Sequence, residues 1–401
     1  MNENSRYVAG VDIGTTAVRC VVASLNSDNK PTIVGIGVQE NSGMRKGVVS
    51  HLSGPTEAID KALGDAERTS GFQIDRAAFS INGAHILSTK TDGMVAVNSS
   101  NGEVSDDDLA RIEEVATIGK IPANREILEF IPYSYSLDGQ DGISDPLGMR
   151  GTRLEVRANV ISAMTPHVNN LHQAAENGDV EPAQTIPSVL AAARAVLTEK
   201  QKENGVAVVD FGATTTGVAI FEDGDLQFLR VIPLGSVNIT NDLAIGLKIT
   251  PEIAEDIKTK HAMAGIRSEH TDIMVKSGRE HYSFNTEQID EIVDARLEEI
   301  FEEIEKTLKE AGCAKQLPNG IVLVGGGANL KGLPAYSKKM LELASQVGEI
   351  EVASSISDDI RNPEFAAAVG LMLENIQDVP RETRIEKRHS GIFAKLFNRN
   401  K

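Results

Sequence analysis

Val8-Ala9-Gly10-Val11-Asp12-Ile13-Gly14-Thr15-Thr16 returns, with changes, as Val206-Ala207-Val208-Val209-Asp210-Phe211-Gly212-Ala213-Thr214. Each copy is an apolar run of strand type that ends in Asp. A turn with Gly and Thr comes next, then a second apolar run at 18–23 or 217–221. That pattern predicts a β-hairpin with an acid and hydroxyls at its tip. Glycine lets the backbone approach a ligand closely, and turn amides and threonine hydroxyls can donate to phosphate oxygens. An aspartate beside a phosphate repels it unless a cation lies between them. Two facing hairpins, each with one Asp, therefore predict a clamp on a magnesium-bound polyphosphate.

A third turn differs in kind. Ile321-Val322-Leu323-Val324 reads as a buried strand that feeds Gly325-Gly326-Gly327-Ala328-Asn329. It carries no Asp and opens towards a helix near Leu333-Pro334, which favours a nucleoside or phosphate at a helix start.

At 401 residues the chain is too long for one simple core, so two or more lobes are expected. Its 41% apolar and 24% charged residues are ordinary for a soluble globular protein. The net charge of -18 argues against nucleic-acid binding, which demands a basic face. Cys20 and Cys313 lie far apart with no CxxC, which predicts buried thiols in a reducing cytosol rather than a disulfide or zinc site. No run of about 18 apolar residues suggests a membrane span, and residues 1–6 carry no secretion signal. The acidity is uneven. Residues 381–401 hold seven basic and two acidic side chains, +5, which leaves -23 for the body.

Along the chain, 7–40 reads as two hairpins, 55–70 as a helix with Thr56 as its cap, and 76–82 as a strand. From 84 to 163 strands alternate with polar turns around one helix, 105–117, where Ser105 precedes Asp106, Asp107 and Asp108. Acids there suit the positive end of the helix dipole. This stretch is expected to be a small inserted α+β subdomain. An Ala-rich helix is predicted over 187–200, and 249–310 reads as mostly helical. Its end carries Ile289, Ile292, Val293, Leu297, Ile300, Phe301, Ile304 and Leu308 at three- and four-residue spacing, a buried face.

In the tail, Ser390 could cap a short helix. Ile392, Phe393, Leu396 and Phe397 would then share one face, with Lys395, Asn398 and Lys401 elsewhere. Such a helix either packs on its own protein or lies on a membrane surface. Its place after a charged linker, with Arg384, Lys387 and Arg388 just before it, favours the membrane.

Asp-x-Gly-Thr near the start, a second Asp-x-Gly with Thr and a later Val-Gly-Gly-Gly-Ala resemble the actin, Hsp70 and sugar-kinase superfamily, in which they are phosphate-1, phosphate-2 and adenosine motifs. Within it the chain is similar to the FtsA family of bacterial cell-division proteins over essentially its whole length. The most specific part is the insert, with Phe130-Ile131-Pro132-Tyr133-Ser134-Tyr135-Ser136-Leu137-Asp138-Gly139-Gln140 and then 142–156, beginning Gly142-Ile143-Ser144-Asp145-Pro146-Leu147-Gly148-Met149-Arg150. The resemblance implies an α/β actin-like ATPase fold: two lobes, each a β-sheet flanked by helices, plus the inserted subdomain. The expected first lobe is 1–83 and 164–200 with part of 360–376, and the insert is 84–163. The second lobe is 201–248 and 311–359 with a small subdomain at 249–310. A linker at 377–389 leads to an amphipathic helix at 390–401.

The same resemblance implies the site residues. Asp12, Gly14, Thr15 and Thr16 would hold phosphates and order magnesium waters, and Asp210, Gly212, Thr214 and Thr215 would do so from the other lobe. Gly325, Gly326 and Gly327 would back the adenosine. Glu255 and Lys258 match a pair near the ribose and adenine, although by chemistry alone their i,i+3 spacing is a surface salt bridge. Arg296 matches an arginine that receives the C-terminal peptide of FtsZ; the plain alternative is a helix arginine paired with Glu299 or Glu303. The implied protein binds ATP and magnesium, polymerises, and tethers the FtsZ ring to the cytoplasmic face of the cell membrane at the division site.

Three departures matter. The second phosphate loop, usually Gly-Gly-Gly-Thr-Thr-Asp, runs Gly212, Ala213, Thr214, Thr215, Thr216, Gly217 here. Ile186 stands before Pro187 where several superfamily members carry Glu, so no general base is evident and no catalytic residue is assigned. Ala17 stands where relatives often carry Lys, and Arg19 could compensate or face solvent. Tight nucleotide binding with slow or negligible hydrolysis is expected, ATP acting mainly by closing the lobes. Rival readings are a PilM-like pilus scaffold, which would lack the 134–156 stretch, a small-molecule kinase, and an Hsp70-type chaperone, disfavoured because no substrate domain comes after 373.

Overall fold

The repeated segment builds the same sheet twice. In the computed structural model, which describes residues 6–277 and 280–376, the first sheet runs in the order Glu181–Pro187, Arg76–Ile81, Arg6–Ile13, Ala17–Leu25, Pro31–Glu40 and Ala353–Ser354. The second runs Ser345–Val347, Ile321–Val324, Val206–Phe211, Thr216–Glu222 and Asp225–Ile232. In each, the Asp strand is antiparallel to its hairpin partner and parallel to the strand on its other side. The hairpins even close alike: the Gly14 amide donates to the Ala17 carbonyl at 3.0 Å, and the Gly212 amide to that of Thr215 at 2.9 Å.

The central strands are buried on both faces, which is why they read as unbroken apolar runs. Val206 and Val208 face one core, while Ala207, Val209 and Phe211 face the other. Between the two sheets lie the helices Ser188–Val196 and Ala366–Asn375. Both are Ala-rich for a steric reason. A Cβ on Gly370 would collide with the Ala191 carbonyl, and one on Gly10 with that of Ala368. Only small side chains let these backbones approach so closely, and interiors packed to this density do not yield.

The predicted stripe of helix Thr286–Glu310 packs inward, Ile292 partly and the other seven fully buried. It packs on helix Ser236–Leu247, whose other neighbour is helix Pro251–Lys260. The inserted module is a sheet in the order Leu87–Ala96, Arg153–Met164, Arg125–Leu137 and Gln140–Ile143. Helix Asp106–Thr117 covers it, started by a capping box between Ser105 and Asp108. Asp138 and Gly139, at φ 50° and 87°, make the tight turn that only such residues tolerate. Val95, Val104, Ile112, Tyr135, Leu154 and Val156 give the module its own small core.

Four expectations are corrected. Thr56 lies inside its helix, Ser53–Ser70, and its hydroxyl donates to the Ala174 carbonyl at 3.3 Å instead of capping. The helix expected over 187–200 stops at Val196, because Leu197 is extended and Thr198 opens a new helix through a capping box with Gln201. The 249–310 region contains a hairpin, Asp272–Ser277 with Glu280–Asn285, whose Tyr282 and Phe284 rings stack on one face. The alternation of Ile273, Val275, Tyr282 and Phe284 was its period-two signal. Finally, Ala353–Ser354 pairs with Thr32 and Ile33, so the chain re-enters the first sheet before residue 360. The linker 377–389 and the helix expected at 390–401, with Ile392, Phe393, Leu396 and Phe397, lie outside the described residues.

Gly370→Ala should cost about 1–3 kcal/mol in urea denaturation through overpacking. Gly64→Ala, on an exposed helix face with open space around it, should instead stabilise by about 0.5–1 kcal/mol. Equal costs at the two positions would refute the close-approach account of the hinge helices.

Candidate functional site

One cleft of about 790 Å³ lies between the sheets, and all three Gly-bearing turns reach it. Asp12 and Asp210 both line it, each at the end of its strand. They sit close enough for the charge of Asp12 to oppose ionisation of Asp210. Burial, and then the charge of Asp12, pushes the Asp210 carboxyl up to about 7, against the pull of the Ser188 hydroxyl and Arg19. Burial likewise raises Asp12, while a bond to the Ser80 hydroxyl and the charge of Arg19 lower it. Two crowded carboxylates whose charged forms burial disfavours call for a positive charge beside them.

The hairpin tips are poised for an anion. Gly14 and Gly212 spend their amides closing the turns. The amides of Thr15, Thr16, Ala213 and Thr214 make no hydrogen bond among the described residues. Thr15 and Thr214 differ from expectation, because their hydroxyls bond to each other at 2.7 Å across the two lobes. Thr214 does not line the cleft, while Thr15, Thr16, Gly212 and Thr215 do.

Gly325 and Gly327 are required by packing before any ligand arrives. A Cβ on Gly325, at φ 82°, would meet the Asp210 carboxylate and the Phe211 carbonyl, and one on Gly327 would meet the Phe211 ring. Gly326 alone faces open space.

Glu255 and Lys258 form the i,i+3 salt bridge that their spacing allows, but with the lysine buried and the glutamate half-exposed. Lys258 is buried, and its ammonium donates to Glu255 at 2.7 Å, the Thr240 hydroxyl at 2.9 Å and the Ser236 carbonyl at 3.3 Å. Thr240 in turn donates to Glu255 at 2.5 Å, and both Glu255 and Lys258 line the cleft. Arg19 turns into the cleft, 3.5 Å from Glu364 and over the Phe365 ring. Its buried Nε has no partner among the described residues. Glu364 also accepts from Asn329, next to the Gly turn. Arg296 lies away from the cleft, forked onto Asp242 and also paired with Glu299. That is the plain pairing its sequence context allowed, with Asp242 added by tertiary structure.

Sequence reasoning missed Ser80, Asn82, Ser188, Thr240 and Glu364. Asn82 donates to the Ser188 hydroxyl at 2.9 Å, and Ser188 holds Asp210. Only the position of Ser188 directly after Ile186-Pro187, at a helix start, could have flagged it. The donor set suits a magnesium polyphosphate: free amides on two tips, an unpartnered guanidinium nitrogen and two acids short of a cation.

Two lobes whose sheets share five strands in the same order, joined by paired helices and closing two Asp hairpins on one cleft, define an actin-like fold. Solved structures agree on that fold. The PilM–PilN type IV pilus biogenesis complex matches with TM-score 0.68 at 18% identity, over 92% of this chain and 98% of that one. MreB5 of Spiroplasma citri bound to ADP matches with TM-score 0.55 at 13% identity, over 93% and 98%. The chain belongs to the FtsA family. The family model for cell division protein FtsA matches residues 207–370, and that for the SHS2 domain inserted in FtsA matches 83–162. The cell division protein FtsA of Bacillus subtilis is 34% identical over 98% of this chain and 87% of its own length. That of Pseudomonas aeruginosa is 31% identical over 94% and 90%. The SHS2 match spans the 134–156 stretch that a PilM-like scaffold was expected to lack.

The raised Asp210 has a consequence for the ligand-free protein. With its folded value near 7 and the unfolded value near 4, its favourable contribution is complete below pH 4 and is lost as pH climbs through 7. At 1.36 kcal/mol per unit the loss is at most about 4 kcal/mol. Asp210→Asn should therefore melt above the parent at pH 8 and lose that advantage by pH 4. A pH-independent gap between the two would refute the burial account.

Proposed function

We propose that this protein is an actin-like, ATP-binding scaffold of bacterial cell division that polymerises and tethers the FtsZ ring to the cytoplasmic membrane. The observation that carries the reading is the pair of Asp hairpins facing one cleft in a chain of the FtsA family. Magnesium bound there would lie between the phosphates and the two carboxylates and reduce their mutual repulsion. Asp12 and Asp210 would hold it through water. Gly14, Thr15, Thr16, Gly212 and Thr215 would meet phosphates with amides and hydroxyls, and Thr214 would join them once its bond to Thr15 opens. Arg19 would add a cation where Ala17 supplies none. Glu255 and Lys258 would face the ribose and base, with the 325–327 turn behind them.

Hydrolysis is slow or negligible in this reading. Position 186 carries a buried isoleucine, which cannot orient or deprotonate an attacking water. Binding energy is then spent on holding the lobes together.

Residues 390–401 would supply the membrane anchor, with Ile392, Phe393, Leu396 and Phe397 inserted and the basic residues at lipid headgroups of the inner leaflet. Four large apolar side chains bring at most roughly 6–12 kcal/mol, much of it offset by ordering a short helix. One copy binds reversibly, and a polymer gains by avidity. Division into 1–83 with 164–200, 84–163, 201–248 with 311–359 and 249–310 accords with this reading, with the return to the first lobe moved to 353. Arg296 would receive the acidic-hydrophobic tail of FtsZ after Glu299, its more exposed partner, swings away.

The full chain should co-sediment with anionic vesicles and carry FtsZ down with it, while a 1–388 truncation should stay in the supernatant. A truncation that still pellets would remove the anchor from 390–401, and failure of both forms to bind FtsZ would end the division role. Arg296→Glu should weaken FtsZ-tail binding about tenfold, the scale of one charge-assisted hydrogen bond, leaving vesicle binding intact.

A further inference from the structure

The inserted module is joined to the first lobe at 82–86 and 164–167, yet its polar side chains grip other parts of the molecule. Asn159 sits in the middle of strand Arg153–Met164 and is fully buried. Its side-chain amide donates to the carbonyl of Leu226, at the start of the second lobe's edge strand Asp225–Ile232. Its side-chain oxygen accepts from the Ser88 hydroxyl at 3.4 Å. On the neighbouring strand, Glu129 pairs with Arg194 at 2.7 Å, and Arg194 also reaches Glu374 at 2.6 Å. Arg194 closes helix Ser188–Val196 and Glu374 closes helix Ala366–Asn375, the two helices between the sheets.

Neither tie belongs to the module's own core, which is apolar and lacks both Asn159 and Glu129. Both ties lead back to the cleft along stiff elements. Strand Asp225–Ile232 spans about 26 Å at 3.3 Å per residue. Just beyond its far end, the Leu234 carbonyl accepts from Thr216, the residue after the second phosphate turn, at 2.9 Å. Helix Ser188–Val196 begins with Ser188, whose hydroxyl holds Asp210. A buried amide satisfied at both ends is costly to disturb, because its loss leaves a carbonyl unpaired in a dry interface.

We propose that the inserted module is a strut between the lobes, and that Asn159 and Arg194 are positioning residues that hold the second phosphate turn opposite the first. The strut stands on geometry alone; the positioning role rests on the nucleotide reading above.

The test uses the full chain with spin labels at Asp141→Cys and Glu222→Cys, both exposed, one on the module and one on the second lobe. Cys20 and Cys313 are buried and stay unlabelled. The parent should give one narrow distance distribution. Asn159→Leu, of similar volume without donor or acceptor, and Arg194→Met should each broaden it about twofold. Each should also weaken a fluorescent ATP analogue with magnesium about fivefold, the size of one net buried hydrogen bond. Glu129→Gln should do the same to a smaller degree and carries the test if Asn159→Leu fails to fold. Unchanged widths overturn the strut whatever the affinities. Broader distances with unchanged affinity overturn the positioning roles. A parent chain that binds no analogue refutes the nucleotide reading instead, and the widths still decide the strut.

Discussion

Two carboxylates that cannot both be comfortable without a cation organise this molecule. Asp12 and Asp210 are delivered to one cleft by strands of equivalent place in two sheets, and burial makes their repulsion matter. The cost is local and the scaffold around it is rigid: Ser80, Ser188 and Arg19 each relieve part of the charge, but none removes it. A positive charge placed between the two carboxylates would relieve part of what remains.

The hinge explains why this tension persists. Helices Ser188–Val196 and Ala366–Asn375 meet through alanine and glycine, with no room for a side chain at Gly370 or Gly10. A seam this close leaves no room for bulkier side chains in the arrangement seen. Lys258, Glu255 and Thr240 stiffen their side of the cleft by satisfying one another. The interlobe bond between Thr15 and Thr214 is the softer element, since it lies at the mouth and either hydroxyl can turn to another acceptor.

Much of this was legible in the residues, and the reasons are physical. The Asp hairpins announce themselves because strand burial on both faces and turn chemistry are local properties. Helix Thr286–Glu310 was equally plain from its 3.6-residue stripe. The hairpin Asp272–Asn285 was missed because its period-two alternation is short and runs directly into the stronger stripe of helix Thr286–Glu310. Ser188 and Asn82 were invisible because their roles come from the meeting of a strand end and a helix start 106 positions apart. The partners of Arg296 show the same limit: Glu299 is a turn away and was foreseen, while Asp242 lies on another helix and was not.

The two sheets share their strands but diverge where the chain leaves the strand beside each Asp. Ile321–Val324 runs into the glycine turn; Arg76–Ile81 runs into Asn82 and then the inserted module. Asn82 thus joins the module to the cleft within the span of a single residue, bonded to Ser188 on one side and continuous with the module on the other. Tension on the module in a crowded assembly would load the backbone at that residue first. Force applied to the module would have a path to the cleft through that residue with almost no compliant chain in between.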